Sequence, residues 1–232
     1  MKPAPEPSAL SGVPLFRGVP PDELSRLATL LGEKRVRAAT RVIAAEEPGE
    51  AVYVILKGSV KVCVEQPDGT EVILAVLGAG EVVGEMSLAD SLGHSADVVT
   101  LEESAFLWMD REAFRTTAEE LPAVGRNLTR VLSRRLRLAN THSRMLAALD
   151  VPGRVAAQLL ALAREYGKPS PEGGGIFIPI PLTQSDLAAL VGASRVRVNQ
   201  SVSFFRKHGQ IATGGDGRIT VHDEEALARR AR

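Results

Sequence analysis

The stretch TQSDLAALVGASRVRV, residues 183–198, has the layout of two short helices joined by a tight turn. Thr183 and Ser194 are positioned to cap the two helices, and Gly192 permits the turn between them. Ala188 is small where the second helix must cross the first closely. The apolar side chains that would face inward are Leu187, Leu190, Val191, Val198 and Val202. This layout predicts a helix-turn-helix.

Polar side chains at the start of the second helix are left to face outward. A recognition helix presents such residues to base edges in the major groove of DNA. The glycine-rich segment 214–217 would form a wing against the phosphate backbone. A helical hairpin that binds no DNA would share the apolar pattern, but the caps, the glycine and the outward arginines together favour DNA binding. The predicted DNA contacts are Thr183, Gln184, Ser194, Arg195, Arg197, Asn199, Gln200 and Lys207.

Residues 35–109 consist of short β-type runs punctuated by glycine. The runs are 41–45, 51–57, 59–65, 71–77, 82–84 and 97–109. The turn PDGT at 67–70 favours a hairpin, because glycine tolerates positive φ. Evenly spaced short strands indicate an antiparallel barrel or roll, which can hold one ligand between its strands.

Helical spacing begins at residue 110, and we expect one long helix from about 122 to 149. One stripe of this helix has the spacing of a coiled-coil seam: Leu132, Leu136, Ala139, Ser143 and Leu146. A second stripe lies on the adjacent face: Leu128, Val131, Leu138, Met145 and Leu149. One stripe is expected to pack on the roll and the other to pair with a second subunit, unless both are buried in one monomer. Residues 150–153 are predicted to be a hinge before a helix over 154–166.

The composition of the 232 residues excludes several classes of protein. A hydrophobic content of 44% rules out a wholly disordered chain. The absence of a long apolar run and of an apolar leader predicts a cytoplasmic protein without a membrane span. The single cysteine, Cys63, excludes an intrachain disulfide and a multi-cysteine metal site. Net charge is −7 over residues 1–109 (9 basic, 16 acidic), +4 over 110–149 (8 and 4) and +3 over 150–232 (11 and 8), as for a sensing domain before a nucleic-acid-binding one.

Three motifs resemble transcription regulators of the cyclic-AMP receptor protein/FNR family, and the resemblance extends from residue 15 to 221. They are GEMSL at 84–88 with Ser95 and Ala96 downstream, LDVPGRVA at 149–156, and GASR at 192–195. The resemblance implies an α+β fold with an N-terminal antiparallel β-roll of the cyclic-nucleotide-binding type, a long dimerisation helix and a C-terminal winged helix-turn-helix. The implied segments are a disordered tail (1–10), the roll domain (11–120), the dimerisation helix (121–149) and the DNA-binding domain (150–232).

The resemblance also implies a binding site for a cyclic nucleotide. Glu85 would accept a hydrogen bond from the ribose 2′-hydroxyl, and backbone N–H groups of the 84–96 loop would bind the cyclic phosphate. His94 stands where the family normally has an arginine, and Ala139 and Asn140 match the positions that face the purine. The implied ligand residues are Gly84, Glu85, Met86, Ser87, His94, Ser95, Ala96 and Asn140.

On the recognition helix, Arg195 matches the position that reads guanine in the family. Val196 stands where the family often has glutamate, and Gln200 where it often has arginine. Valine can contact a thymine methyl group, and glutamine can bind adenine. Arg197 and Lys207 are expected to contact phosphates.

The predicted function is therefore a homodimeric DNA-binding regulator controlled by cyclic AMP, with double-stranded DNA and RNA polymerase as partners and neither enzymatic activity nor a metal. Two alternatives remain within this class: a regulator that needs no ligand, and one that senses haem or another small molecule. The candidate haem ligands are Cys63, His94, His142 and Met145. A nucleotide-hydrolysing enzyme would need clustered metal ligands, and a protein-binding module would leave the outward arginines unexplained.

Overall fold

Eight strands form two four-stranded antiparallel sheets in the first half of the chain. The computed structural model describes residues 10–87 and 93–232. The strands are β1 (Gly32–Val36), β2 (Arg41–Ile43), β3 (Ala51–Lys57), β4 (Val60–Glu65), β5 (Glu71–Leu77), β6 (Val82–Val83), β7 (Asp97–Thr100) and β8 (Ser104–Asp110). Their order is β1-β8-β3-β6 in one sheet and β2-β7-β4-β5 in the other. The predicted antiparallel roll is confirmed.

The strands differ from the predicted runs in two places. The run 97–109 is divided, because the Leu101 N–H bonds to the Ser59 carbonyl and the Ser59 hydroxyl donates to Glu102, so the chain turns there. β1 was not predicted, and it pairs with β8 from Gly32 opposite Trp108 to Val36 opposite Ser104.

The space between the two sheets holds an apolar core. Each strand contributes one buried residue to it, as expected when alternate side chains point to opposite faces of a sheet. These residues are Val36, Ile43, Ile55, Val60, Leu77, Val83, Val98 and Phe106.

A second apolar core packs the outward side chains of β3 and β8 against helices. These helices are a 3-10 turn (Pro14–Phe16), α1 (Pro21–Leu30), α2 (Arg111–Glu120) and the start of α3 (Pro122–Ala148). Leu10 is fully buried in this core, so the expected disordered tail of residues 1–10 is wrong at its last residue. The rest of that expected tail, residues 1–9, lies outside the described residues.

α3 confirms the predicted long helix, and its two stripes differ in exposure. The first stripe is open to solvent at Leu136, which is 63% exposed, and at Leu146. In the second stripe Val131 and Met145 are buried, whereas Leu138 is exposed.

The chain divides into two compact units, residues up to 64 with 75–137, and residues 65–74 with 138–232. The helices and strands of the second unit after α3 are α4 (Val151–Tyr166), β9 (Lys168–Pro169), β10 (Ile176–Ile178), α5 (Gln184–Val191), α6 (Arg195–Lys207), β11 (Ile211–Thr213), β12 (Ile219–Val221) and α7 (Glu224–Arg230). The strands form one sheet in the order β11-β12-β10-β9 beside the helix-turn-helix. This is the predicted winged helix-turn-helix, with α7 as an unpredicted addition.

α4 begins three residues earlier than predicted. The Asp150 carboxylate accepts a hydrogen bond from the Gly153 N–H (3.0 Å) and so caps the helix. Pro152 lies in the first turn, where a missing N–H costs nothing.

Candidate ligand site and nucleic-acid interface

A pocket in the first unit brings together the predicted ligand residues of the roll. Its volume is about 60 Å³. It is lined by Ile43, Val62, Val83, Gly84, Glu85, Met86, Ser87, His94, Ser95, Ala96, Val98 and Arg135. Residues 88–92 of the predicted phosphate-binding loop lie outside the described residues. Asn140 belongs to the second unit and is exposed.

The loop after β6 is shaped by close packing. Gly84 has a φ of +85°, and a Cβ there would lie 2.7 Å from the Ala51 carbonyl oxygen, so only glycine fits. The buried Ser87 hydroxyl donates to the Gly84 carbonyl (3.0 Å) and closes the turn. These contacts fix the backbone on either side of Glu85.

Glu85 is ion-paired with an arginine that the sequence analysis missed. Its side chain is 2% exposed, and its Oε1 accepts a hydrogen bond from Nη1 of Arg135 at 2.5 Å. Nη2 of Arg135 donates to the Val82 carbonyl. The neighbouring Arg134 pairs with Glu81, so two glutamates of the roll meet two arginines of α3. A buried carboxylate requires a cation nearby, and the adjacent arginines of α3 are candidates for it, but no local pattern in the sequence assigns Arg135 to Glu85.

Two polar atoms of this cluster remain without a hydrogen bond. They are Oε2 of Glu81 and Nε of Arg135, both buried. Oε2 of Glu81 lies 3.6 Å from Nη2 of Arg135, so it has an ion pair without hydrogen-bond geometry. The Arg135 Nε–H is thus a spare donor on a residue that lines the pocket.

His94 is partly buried, and this burial lowers the pKa of its imidazole. The charges of Glu47 and Glu85 oppose the shift without cancelling it. The imidazole is therefore largely neutral at pH 7, and Arg135 supplies the fixed positive charge of the pocket. The His94 backbone bonds to Glu46 and Glu47, which holds the loop 93–96 against the chain before β3.

The helix-turn-helix has the predicted caps and turn. The Thr183 hydroxyl and the Asp186 carboxylate form a reciprocal capping box at the start of α5. Gly192 ends that helix in the left-handed conformation, with φ 62° and ψ 51°. The Ser194 hydroxyl accepts a hydrogen bond from the Arg197 N–H and caps α6.

α6 has a buried face and an exposed polar face. Val198, Ser201, Val202 and Phe205 are buried, as predicted for the first and third of these positions. The predicted DNA-contacting side chains on α6 are all exposed: Arg195, Arg197, Asn199, Gln200 and Lys207. Two of the predicted DNA-contacting residues are hydrogen-bonded to each other, since the Gln184 amide donates to Oδ1 of Asn199 (3.0 Å).

The first turn of α6 is positively charged. It carries Arg195 and Arg197 and no acidic residue; α3 and α4 also lack an acidic residue there, whereas α1, α2, α5 and α7 each have at least one. Cations at a helix N-terminus oppose the helix dipole. Such an arrangement is typical of a surface that binds a polyanion.

The side chains of His142 and Arg154 bind the carboxyl end of α5. Nε2 of His142 donates to the Leu190 carbonyl (2.8 Å), and Nη1 of Arg154 donates to the Val191 and Gly192 carbonyls (3.3 and 3.2 Å). Nε of Arg154 donates to the Leu149 carbonyl (2.9 Å). Neither role was predicted from the sequence.

The described chain also contains a second pocket, but neither a cluster of metal ligands nor a membrane-spanning helix. A groove of about 600 Å³ lies on the second unit, and Arg197 and Gln200 of the exposed α6 face line it. Within residues 10–87 and 93–232, no group of three or more His, Cys, Asp or Glu side chains is arranged to hold a metal ion. Over the same ranges, no helix combines the length and apolar character needed to cross a bilayer.

Comparisons with known proteins agree with this architecture. The family model of the cyclic nucleotide-binding domain matches residues 33–120, and that of the Crp-like helix-turn-helix domain matches residues 153–230. The CRP-like cAMP-activated global transcriptional regulator of Mycobacterium tuberculosis is 38% identical over 218 residues, which is 94% of this chain and 96% of that protein. The cyclic AMP receptor protein of Thermus thermophilus is 30% identical with the same coverage.

A solved structure shows the same fold. FixK2 from Bradyrhizobium japonicum superposes with a TM-score of 0.77 at 22% identity, over 87% of this chain and 98% of that chain. Fold, motifs and sequence identity over nearly the whole length agree with one another. The chain therefore belongs to the CRP/FNR family, and it is a transcription regulator with a cyclic nucleotide-binding domain and a DNA-binding helix-turn-helix, not an enzyme.

Proposed function

We propose that this regulator is controlled by cyclic AMP bound in the roll pocket. The observation that carries the proposal is the presence of Glu85, His94, Ser95 and the Arg135 guanidinium in one pocket. A cyclic phosphate needs a cation and hydrogen-bond donors, and a ribose hydroxyl needs an acceptor. The relatives named above are themselves named for cyclic AMP, which supports adenine as the base.

Arg135 provides the permanent charge in place of the family's arginine at position 94. Glu85 has two carboxylate oxygens, so it can accept from Arg135 and from a ribose hydroxyl at the same time. The Nε–H of Arg135 is buried without a hydrogen bond, so it would serve the ligand as a donor only if this side chain moves when the pocket widens. Asn140, five residues later on α3, stays a predicted contact to the purine.

The pocket must widen to admit a nucleotide. Its volume of about 60 Å³ is well below the roughly 300–1,000 Å³ of typical small-molecule sites. The side chain of Arg135 is 23% exposed and has the length to move. Since Arg135 is part of α3, widening of the pocket changes a contact between the roll and this helix. A ligand that binds the DNA-competent state more tightly then shifts the population toward it.

We propose α3 as the dimerisation helix. The stripe containing Leu136 and Leu146 is exposed, while Val131 and Met145 of the other stripe are buried. An exposed row of leucines at coiled-coil spacing is stabilised by a second copy of the same helix. A two-fold dimer would place two copies of α6 about one helical turn of DNA apart on a pseudo-palindromic operator.

The exposed face of α6 is the proposed base-reading surface. Arg195 is suited to bind guanine O6 and N7, and Gln200 is suited to bind adenine. Arg197 and Lys207 are proposed phosphate contacts. The hydroxyls of Thr183 and Ser194 are engaged in helix caps, so we propose that their segments approach phosphates through the backbone.

Three further features belong to the same proposal. RNA polymerase is the expected protein partner, and the cytoplasm is the expected location. The functional segments are the roll domain (11–120), the dimerisation helix (121–149) and the DNA-binding domain (150–232). We propose no metal in any of them.

One observation favours a second candidate, a regulator that needs no ligand. In the pocket, the Arg135–Glu85 pair already satisfies a buried carboxylate, and the remaining volume is about 60 Å³. In that case the pair would hold the roll and the first part of α3 together without a ligand.

Two experiments distinguish the two candidates. The first is calorimetric titration with cyclic AMP and cyclic GMP, and the second measures operator binding with and without each nucleotide. Cyclic AMP control predicts heat with cyclic AMP and tighter operator binding in its presence. Glu85→Ala should abolish both effects, and Glu103→Ala, which removes a carboxylate outside the pocket, should abolish neither. Equal operator binding with and without cyclic AMP, together with no heat, would support the ligand-independent regulator.

A further inference from the structure

Val196 is an apolar residue with no packing role in the described structure. It is the second residue of α6 and is 66% exposed, more than the other large apolar side chains of the described chain. Val198 and Val202, on the opposite side of the helix, are 0% and 6% exposed. A β-branched residue also has a lower helix propensity than the charged residues common at exposed positions. Neither packing nor propensity explains a valine here.

The surroundings of Val196 are polar and cationic. Arg195 and Arg197 flank it in sequence, and Gln200 follows one turn later on the same side of the helix. The exposed Asn199 already has partners in the protein, since its Oδ1 accepts hydrogen bonds from Gln184 and Ser203 (3.0 and 3.4 Å). Val196 is thus an isolated apolar group among hydrogen-bonding side chains at the helix start, where recognition helices reach base edges.

We infer that Val196 contacts the C5 methyl group of a thymine next to the base pair read by Arg195. This inference rests on the proposed function of α6 as the base-reading helix. The thymine methyl is the apolar feature of the major groove, and an isopropyl group matches it. Cytosine at the same place would present its N4 amino group to the valine. Valine has no acceptor for this donor, and a donor buried at the interface without an acceptor is unfavourable. Val196 therefore selects an A·T pair at this step of each half-site.

The expected size of the effect follows from one methyl group. Burying a group of this size changes an equilibrium constant about fourfold at one half-site. A dimer that reads two half-sites should lose about 15-fold when both methyl groups are removed, provided that the two contacts are independent. Substituting cytosine should cost more, about tenfold or above per half-site.

The test uses the full-length protein with cyclic AMP and a random duplex library. The best selected duplex is resynthesised with each half-site thymine replaced in turn by deoxyuridine, which lacks only the methyl group. Dissociation constants are measured by fluorescence anisotropy at one salt concentration. We expect one thymine, beside a guanine, whose replacement in both half-sites weakens binding about 15-fold for the unmodified protein and less than twofold for Val196→Ala.

Two variants complete the test. Val196→Glu, selected on the same library, should exchange the thymine for cytosine, because a carboxylate accepts from cytosine N4. Leu30→Ala truncates an exposed apolar residue of α1 and should keep the thymine dependence of the unmodified protein. Circular dichroism checks that each variant is folded.

The outcomes distinguish failure of the thymine contact from failure of the proposed base reading by α6. If sequences are enriched but each deoxyuridine replacement has the same effect with and without Val196, the thymine contact is refuted and base reading by α6 stands. If no sequence is enriched and binding follows salt concentration alone, the thymine contact and base reading both fail.

Discussion

Arg135→Met is expected to destabilise the roll and to weaken its ligand site together. The variant leaves Glu85, whose side chain is 2% exposed, without its cation. Breaking a buried ion pair by removing one partner costs about 3–5 kcal/mol. We expect the lower end, about 3 kcal/mol, because 23% of the Arg135 side chain already contacts solvent. The melting temperature of the first unit should fall by about 6–12 °C.

Urea unfolding followed by tryptophan fluorescence measures this change in the first unit alone. The chain has one tryptophan, Trp108, and it lies in β8. Arg126→Met removes an exposed arginine from the same helix and should change the free energy of unfolding by less than about 0.5 kcal/mol. Cyclic AMP should bind Arg135→Met about 10- to 100-fold more weakly than the unmodified protein.

A double-mutant cycle tests whether Arg135 and Glu85 stabilise the roll as a pair. Glu85→Gln removes the unpaired charge, so in the Arg135→Met background it should recover about 1–2 kcal/mol. Strict additivity of the two substitutions, or a loss for Arg135→Met no larger than that for Arg126→Met, would refute the assigned role of the pair.

The remaining predictions concern the dimer, the ligand and DNA. Leu136→Asp should shift the protein toward monomer in light scattering and weaken operator binding although it touches no DNA; an unchanged dimer would exclude this stripe as the interface. Burial lowers the pKa of His94 and a bound phosphate favours its charged form, so cyclic AMP affinity should rise as pH falls from neutral into the acidic range. His94→Arg should tighten binding and remove that dependence, and calorimetry across pH 5–8 with an unchanged slope would contradict it. Arg195→Ala should cost about 1–3 kcal/mol for the cognate site and little for random DNA, whereas Lys207→Ala should weaken both and lower the salt slope by roughly one; equal losses for the two variants would show that this division of contacts is wrong.

The sequence predicted the helix-turn-helix well because its signals are local. Thr183 and Ser194 cap helices through contacts three residues away, and Gly192 adopts the left-handed conformation that glycine allows. The strands of the roll were predicted nearly as well, because alternation and glycine turns are also local. There are two exceptions: β1, which was not predicted and pairs with the distant β8, and the division of the run 97–109, which depends on Ser59, a residue distant in sequence.

The candidate site was predicted less completely, because part of it depends on contacts between distant segments. Arg135 and Glu85 are 50 residues apart in the chain, and no local pattern joins them. Burial of His94, which lowers its pKa, also arises only in the folded roll. The exposed face of α6 was predicted because the buried positions of one helix define its outer face.

The bonds at the carboxyl end of α5 limit where the second unit can bend. His142 on α3 and Arg154 on α4 lie on opposite sides of the break at residues 149–150, and both bind carbonyls of residues 190–192. Rotation about that break would lose either the bond from His142 or the two bonds from Arg154, at a cost of about 1 kcal/mol for each bond. The predicted hinge at 150–153 is therefore braced against bending. Within the second unit, the last turns of α3 and the first turn of α4 are thus both tied to the end of α5, the helix that precedes the recognition helix.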